Sequence, residues 1–174
     1  FYGDLDSVVI GAKPANRQDV ITRLVGKSKR DEMISWLLKE AQKDHRVFWV
    51  VPRVEEDPAA PSVESVFKEL KSLGYDWSVG FIHGKLPEEQ KSQVLDDFRS
   101  GTLNVLVATT VIEVGVNVPE AAIIVIEGAD RFGLAQLHQL RGRVGRGGQQ
   151  GWCFLMSDAQ EAITRLSEFA NTLD

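Results

Sequence analysis

The sequence predicts an α/β domain built on a mostly parallel central sheet with helices on both faces. Short continuous apolar runs recur along the chain, among them Val47–Val51, Val105–Ala108 and Ala121–Glu127. Strands buried on both sides read this way. Between the runs lie segments with helical caps and helical apolar spacing, so strand and helix alternate about five times at intervals of 20–30 residues. Such alternation specifies parallel strands joined by crossover helices. A length of 174 residues suits one well-buried domain and is short for two.

Taken in order, residues 1–27 are irregular, with turn signals at Gly3, Gly11, Pro14 and Gly26. They read as an N-terminal linking segment, with the domain proper at 28–174. Within the segment, Gln18–Val25 alternates weakly in the manner of a strand. Ser28 is the expected N-cap of a helix over Lys29–Gln42, with Met33, Trp36, Leu37 and Leu38 on its apolar face. Val47–Val51 is a buried strand, and Arg53–Pro61, polar and holding Pro58, is a loop. Ser62 caps a helix to Leu73, with Glu64 and Ser65 in its first turn. Trp77–Ile82 is a strand ending at His83-Gly84. Pro87 suits the first turn of a helix to Arg99 that turns Val94, Leu95 and Phe98 inward. Strands follow at Val105–Ala108 and Ala121–Glu127, then a helix from Leu134 through Leu140 and beyond. Gly151–Met156 is the last strand, and Asp158 is the expected cap of a helix over Ala159–Leu173.

Composition narrows the function classes. A net charge of −5 argues against a whole-domain electrostatic grip on nucleic acid, so any such contact must be local. No apolar run approaches the roughly 20 residues that span a bilayer. The single cysteine, Cys153, forbids an internal disulfide and suits a reducing cytosol, so a cytoplasmic location is expected. Its neighbours read as a buried strand, which makes it a packed thiol rather than a nucleophile. His45, His83 and His138 share no metal-ligand spacing. The N-terminus has no signal-peptide pattern and no initiator Met, and the chain reads as a piece of a longer protein.

Ligands of parallel sheets bind beyond the carboxyl ends of the strands. That rule singles out His83-Gly84, Thr109-Thr110 and the Glu127–Arg131 loop. The densest unusual stretch lies further on, where Arg141–Gly148 holds three arginines and four glycines in eight residues. Arg143 and Arg146 are three apart, so on a helical turn both guanidinium groups project to one side. A planar fork of five donors that stays charged suits phosphate oxygens. A solvated basic turn is the bland alternative, and Gln139 and the interleaved glycines make it the weaker one. Ala108–Pro119 begins at a strand end with two hydroxyls, which bind a nucleic-acid phosphate without net charge. Here the alternative is a turn whose threonines cap a short helix.

These segments resemble a known family. Ala108–Pro119 looks like motif V of superfamily 2 helicases, and Gln139–Arg146 looks like their motif VI, Q-x-x-G-R-x-G-R. The stretch Arg131–Arg146 is more specific and is similar to the RecG family of DNA helicases and to the Mfd family of transcription-repair coupling factors. Val47–Glu56 and Thr110–Val116 look more like RecG, and Phe1–Asp6 resembles the segment just after its motif III.

The resemblance implies a RecA-like domain of P-loop NTPase type, the second lobe of a helicase motor. It implies that Arg143 and Arg146 act as arginine fingers on ATP held by the first lobe, with Gln139 helping to position them. Gly115 would lie near the nucleotide. Asn117, where an aspartate is common, would still hydrogen-bond a ribose hydroxyl. Thr109 and Thr110 would touch the DNA backbone, and Phe81–Gly84, similar to motif IVa, would bring His83 and Gly84 to further phosphates. The implied partners are branched or forked DNA and the first lobe of the same polypeptide, in a monomer without membrane contact.

The chain lacks the remaining ATPase parts. A P-loop needs G-x-x-x-x-G-K-[ST], and Gly26-Lys27-Ser28 has Ile21 where the first glycine belongs. Asp31-Glu32 lies in an expected helix rather than after a strand. ATP and Mg²⁺ are therefore expected mainly on the first lobe, with no cofactor and no ATPase activity in this chain alone. The alternatives are an Mfd-like lobe, decided by flanking sequence, and a stand-alone anion-binding module.

Overall fold

The computed structural model describes residues 20–52, 61–109, 121–145 and 150–172. The strands are β1 (Ile21–Val25), β2 (Val47–Val50), β3 (Val79–Ile82), β4 (Val105–Ala108), β5 (Ile123–Ile126) and β6 (Trp152–Met156). The helices are α1 (Arg30–Gln42), α2 (Val63–Ser72), α3 (Glu88–Ser100), α4 (Leu134–Arg141) and α5 (Ile163–Ala170). The strands form one sheet in the order β1-β6-β5-β2-β4-β3, and every pair is parallel.

Alternation along the strands sorts the core into two layers. Phe48 and Val50 of β2 face Leu95 and Phe98 of α3, Leu137 and Leu140 of α4, and Leu166 and Phe169 of α5. Val47 and Trp49 face the other way, toward Met33, Ile34, Trp36 and Leu37 of α1 and Val63, Val66 and Leu70 of α2. A strand covered on both faces has no polar side to offer, which is why β2, β4 and β5 are apolar throughout. Each fully buried large side chain contributes roughly 1.5–3 kcal/mol relative to exposure. Cys153 is one of these packed residues.

The helix that follows β2 packs on one face and the helix that follows β5 packs on the other. Since β2 and β5 are neighbours, a topological switch point lies between them.

Several boundaries differ from the sequence expectation for local reasons. Ser28 does not cap α1, because Lys27–Lys29 form a 3-10 turn behind Gly26 and the helix starts at Arg30. Asp158 is exposed and does not cap α5, whose N-cap position is Ala162. The Ser157 hydroxyl accepts from the Ala159 N–H at 3.0 Å instead, and a 3-10 turn delays α5 to Ile163. Ile34 joins the apolar face of α1, while Leu38 is only partly buried. Strand β1 lies ahead of residue 28, yet pairs with β6 along its whole length. The Ser62 cap forms as expected: Ser62 Oγ accepts from Ser65 N and Ser65 Oγ from Ser62 N, both at 3.0 Å. The expected loop at Arg53–Pro61 falls almost wholly outside the described residues. No helix among the described residues is long and apolar enough to cross a membrane.

Candidate functional site

The arginine-rich segment follows α4. Leu137, Leu140 and Arg141 bury one face of that helix, leaving Gln139 exposed. The helix ends at Arg141, two residues before Arg143. The expected relation of Arg143 to Arg146 involves a residue outside the described ones, and α4 itself stops short of Arg143. Backbone pairing with residue 121 is the reason. Ala121 N donates to Arg143 O at 3.3 Å, and Gly145 N donates to Ala121 O at 3.0 Å. Val144 forms a parallel bridge to Ala121 and is 6% exposed.

Gly145 takes φ 73°, a conformation that favours glycine. Gly151 lies against it so closely that a Cβ there would sit 2.8 Å from Gly145 Cα and 2.8 Å from Val144 Cγ1. Arg143 is thus a half-buried residue between two buried ones, Arg141 and Val144, at the amino ends of β5 and β6. Arg146 lies outside the described residues.

The other expected residues gather at the opposite end of the sheet. Thr109 directly follows β4, and its Oγ1 is shielded from solvent with no hydrogen-bond partner. His83 directly follows β3 and stacks on Phe81, with centroids 5.7 Å apart and planes at 25°. Its Nδ1 accepts from the Lys85 N–H at 3.1 Å, which assigns the ring proton to Nε2 and leaves that nitrogen as a donor. Gly84 is exposed. Thr110, Gly115 and Asn117 lie outside the described residues. A four-residue strand rises roughly 10–13 Å, so Thr109 and Arg143 are separated by the depth of the sheet.

A third feature was only partly legible in the sequence. A cavity of about 500 Å³ opens at the carboxyl ends near the switch point, lined by Lys27, Arg30, Glu69, Glu127 and Asp130 among others. Arg30 forms part of its wall. The guanidinium binds Glu69 through two bonds of 2.9 and 2.7 Å and Glu127 at 2.6 Å, and it lies over the Trp49 ring at 5.4 Å. Trp49 Nε1 donates to the same Glu127 at 3.3 Å. Burial alone pulls the Arg30 pKa down, but the hydrogen bonds and charges of the two carboxylates outweigh it and hold the group above its ordinary value. Glu127 stood out as the polar end of an apolar strand. Arg30 carried a fainter signal: a cation in the first turn of a helix opposes the helix dipole unless something else holds it.

Gly26-Lys27-Ser28 sits between β1 and α1, where a phosphate loop would stand in a strand–loop–helix unit. Here a 3-10 turn occupies that position, and Arg30 with its two glutamates lines the cavity beside it. Among the described residues no cluster of His, Cys, Asp or Glu has the makings of a metal site.

The Gly145–Gly151 contact makes a direct prediction. Gly151→Ala forces the 143–145 segment outward, because the clash is with backbone rather than a flexible side chain. Overpacking of this kind costs about 1–3 kcal/mol, read as a fall in urea midpoint. An unchanged midpoint would show that the segment is not clamped there.

Comparison with known proteins identifies the family of the fold. Residues 28–148 match the family described as the helicase conserved C-terminal domain. Among curated relatives, the ATP-dependent DNA helicase RecG of Thermotoga maritima is 42% identical over 100% of this chain, which covers 23% of that protein. RecG of Bacillus subtilis is 42% identical over 90% of the chain, covering 24% of the relative. The chain thus spans less than a quarter of the length of these relatives. A solved structure of RecG bound to a three-way DNA junction superposes with TM-score 0.74 at 40% identity, over 92% of this chain and 21% of that one. The C-terminal domain of the DEAD-box protein Dbp5 shares the fold, with TM-score 0.61 at 20% identity over 87% of this chain and 82% of that one. The chain belongs to the helicase conserved C-terminal domain family, as a RecA-like α/β domain of the kind found in RecG.

Proposed function

We propose that this domain is the second motor lobe of a RecG-type ATP-dependent DNA helicase, active in fork remodelling, repair and recombination. It completes an ATPase site whose phosphate cradle stands on another lobe of the same polypeptide. The observation that carries this is a pairing of opposites. Arg143 is half-exposed on a backbone fixed by Ala121, ready for an anion presented from outside. The switch-point cavity, where such a fold would hold a nucleotide of its own, has a 3-10 turn in place of a phosphate loop, and its Arg30 guanidinium is already engaged by Glu69 and Glu127.

In this reading Arg143, with Arg146, donates its fork to the γ-phosphate oxygens and stabilises the charge that spreads over them in the transition state. Bound ATP with Mg²⁺ supplies the transferable phosphoryl group. Gln139, exposed on α4 beside the finger segment, helps to orient it. Gly115 and Asn117 would serve the nucleotide from motif V.

Thr109 and Thr110, with His83 and Gly84, are the proposed DNA contacts at the carboxyl rim. The Nε2 proton of His83, left as a donor by the bond at Nδ1, is suited to phosphate oxygens, and Thr109 stands at the same rim with a hydroxyl that no protein group among the described residues engages. Nucleotide and DNA contacts at opposite ends of one rigid sheet would let closure on ATP shift the grip on DNA. The complete protein is read as a cytoplasmic monomer acting on branched or forked duplex. The relatives reported above are RecG proteins and support this reading over a coupling-factor lobe.

Two measurements test it. Purified on its own, this chain is expected to show no DNA-stimulated ATP hydrolysis, whereas robust turnover would identify a self-sufficient site and sink the half-motor reading. In the complete protein, Thr109→Val is expected to raise the DNA concentration for half-maximal ATPase about 10–100-fold, the scale of one lost hydrogen bond to a charged group, with turnover at saturating DNA retained. An unchanged DNA requirement would remove Thr109 from the interface.

A further inference from the structure

Arg141 and Arg143 are two residues apart in one motif, and burial separates them completely. Arg141 is 2% exposed, while Arg143 is half-buried. The Arg141 guanidinium donates to Phe169 O at 3.1 Å and to Thr172 Oγ1 at 2.9 Å, with Thr22 Oγ1 at 3.5 Å. Its plane lies over the Phe169 ring, 4.1 Å from the centroid. The Thr172 hydroxyl donates to Phe169 O at 2.6 Å, so its lone pairs are free to accept from Arg141. These partners belong to β1 and to the C-terminal end of α5, where a cation also favours the helix dipole.

We infer that Arg141 is a positioning residue for Arg143. Desolvating a guanidinium is expensive, and an apolar side chain of similar size fills such a space at lower cost. What the guanidinium adds is direction: several donors aimed at fixed acceptors set the position and roll of the last turn of α4. Arg143 N bonds to Leu140 O at 3.1 Å within that turn. On its other side, Val144 is held by Ala121. The finger is therefore fixed from both flanks. Without the Arg141 anchor, the segment pivots about the Ala121 pairing and Arg143 loses its aim. A misplacement of about 1 Å is enough to cost roughly 100-fold in rate.

The inference rests on Arg143 acting as a finger, and a double-mutant cycle in the complete protein separates the two. Arg141→Met is expected to lower kcat about 10–100-fold, with the KM for ATP and the affinity for DNA within about 2-fold of wild type. In an Arg143→Ala background the same substitution is expected to lower kcat no further, because the only route from Arg141 to the reaction is then gone. Thr172→Val, which removes one acceptor with little change of volume, is expected to lower kcat in the same direction by a smaller factor.

Normal kcat in Arg143→Ala would overturn the finger reading itself. A large loss in Arg143→Ala beside normal kcat in Arg141→Met would overturn only the positioning role. Independent, multiplicative losses in the double variant would make Arg141 a purely structural residue. If Arg141→Met fails to fold, Thr172→Val decides, and an unchanged kcat there overturns the inference.

Discussion

The constraint on which the rest of this structure depends is that all six strands run the same way. In a parallel sheet every connection must return across a face, so each face acquires helices and each strand becomes apolar on both sides. The two ends of the sheet then become chemically distinct. Every strand delivers the chain to the same rim, and that rim collects Thr109, His83 and Glu127. The opposite rim receives the returning chain, and there Ala121 and Gly151 hold the segment that carries Arg143. Separation of the proposed DNA and nucleotide contacts follows from strand direction rather than from any special device.

Two guanidinium groups, one partly buried and one fully buried, shape this frame. Arg30 lines the cavity at the switch point, with carboxylates from α2 and from the end of β5 compensating its charge. Arg141 ties the last turn of α4 to β1 and α5 through a carbonyl, hydroxyls and an aromatic ring. Neither is an economical way to fill space, since desolvation consumes much of what the pairing returns. Both sites gain geometric definition instead. One cavity wall is held in place by paired charges, and one short segment is held with a half-exposed arginine between fixed neighbours.

Element order was legible in the sequence because burial on both faces and helical spacing leave independent marks that agree here. Val47–Val51 and Val105–Ala108 leave little room for another reading. Boundaries were less legible where a short 3-10 turn intervened. Ser28 and Asp158 have the chemistry of helix caps, but the turns beside them displaced the helix starts. The site was legible as a motif and not as a geometry. Arg141 and Arg143 look alike in a string of letters, and only the acceptors on Phe169 and Thr172, about 30 residues away, tell them apart. The long-range backbone pair that holds Arg143 and Gly145 to Ala121 is one that no local pattern announces. The pairing of Arg30 and Glu69 with Glu127 escaped for the same reason, its members being distant in sequence.

The central claim is that Arg143 completes, by its planar fork, a nucleotide site built on another lobe. Single-turnover hydrolysis by the complete protein carrying Arg143→Lys tests this most directly, with ATP affinity measured separately by equilibrium binding. Lysine keeps the charge but not the bidentate geometry. The account predicts a hydrolysis rate lowered at least about 100-fold with ATP affinity nearly unchanged. A normal rate, or a loss confined to ATP affinity, would contradict it.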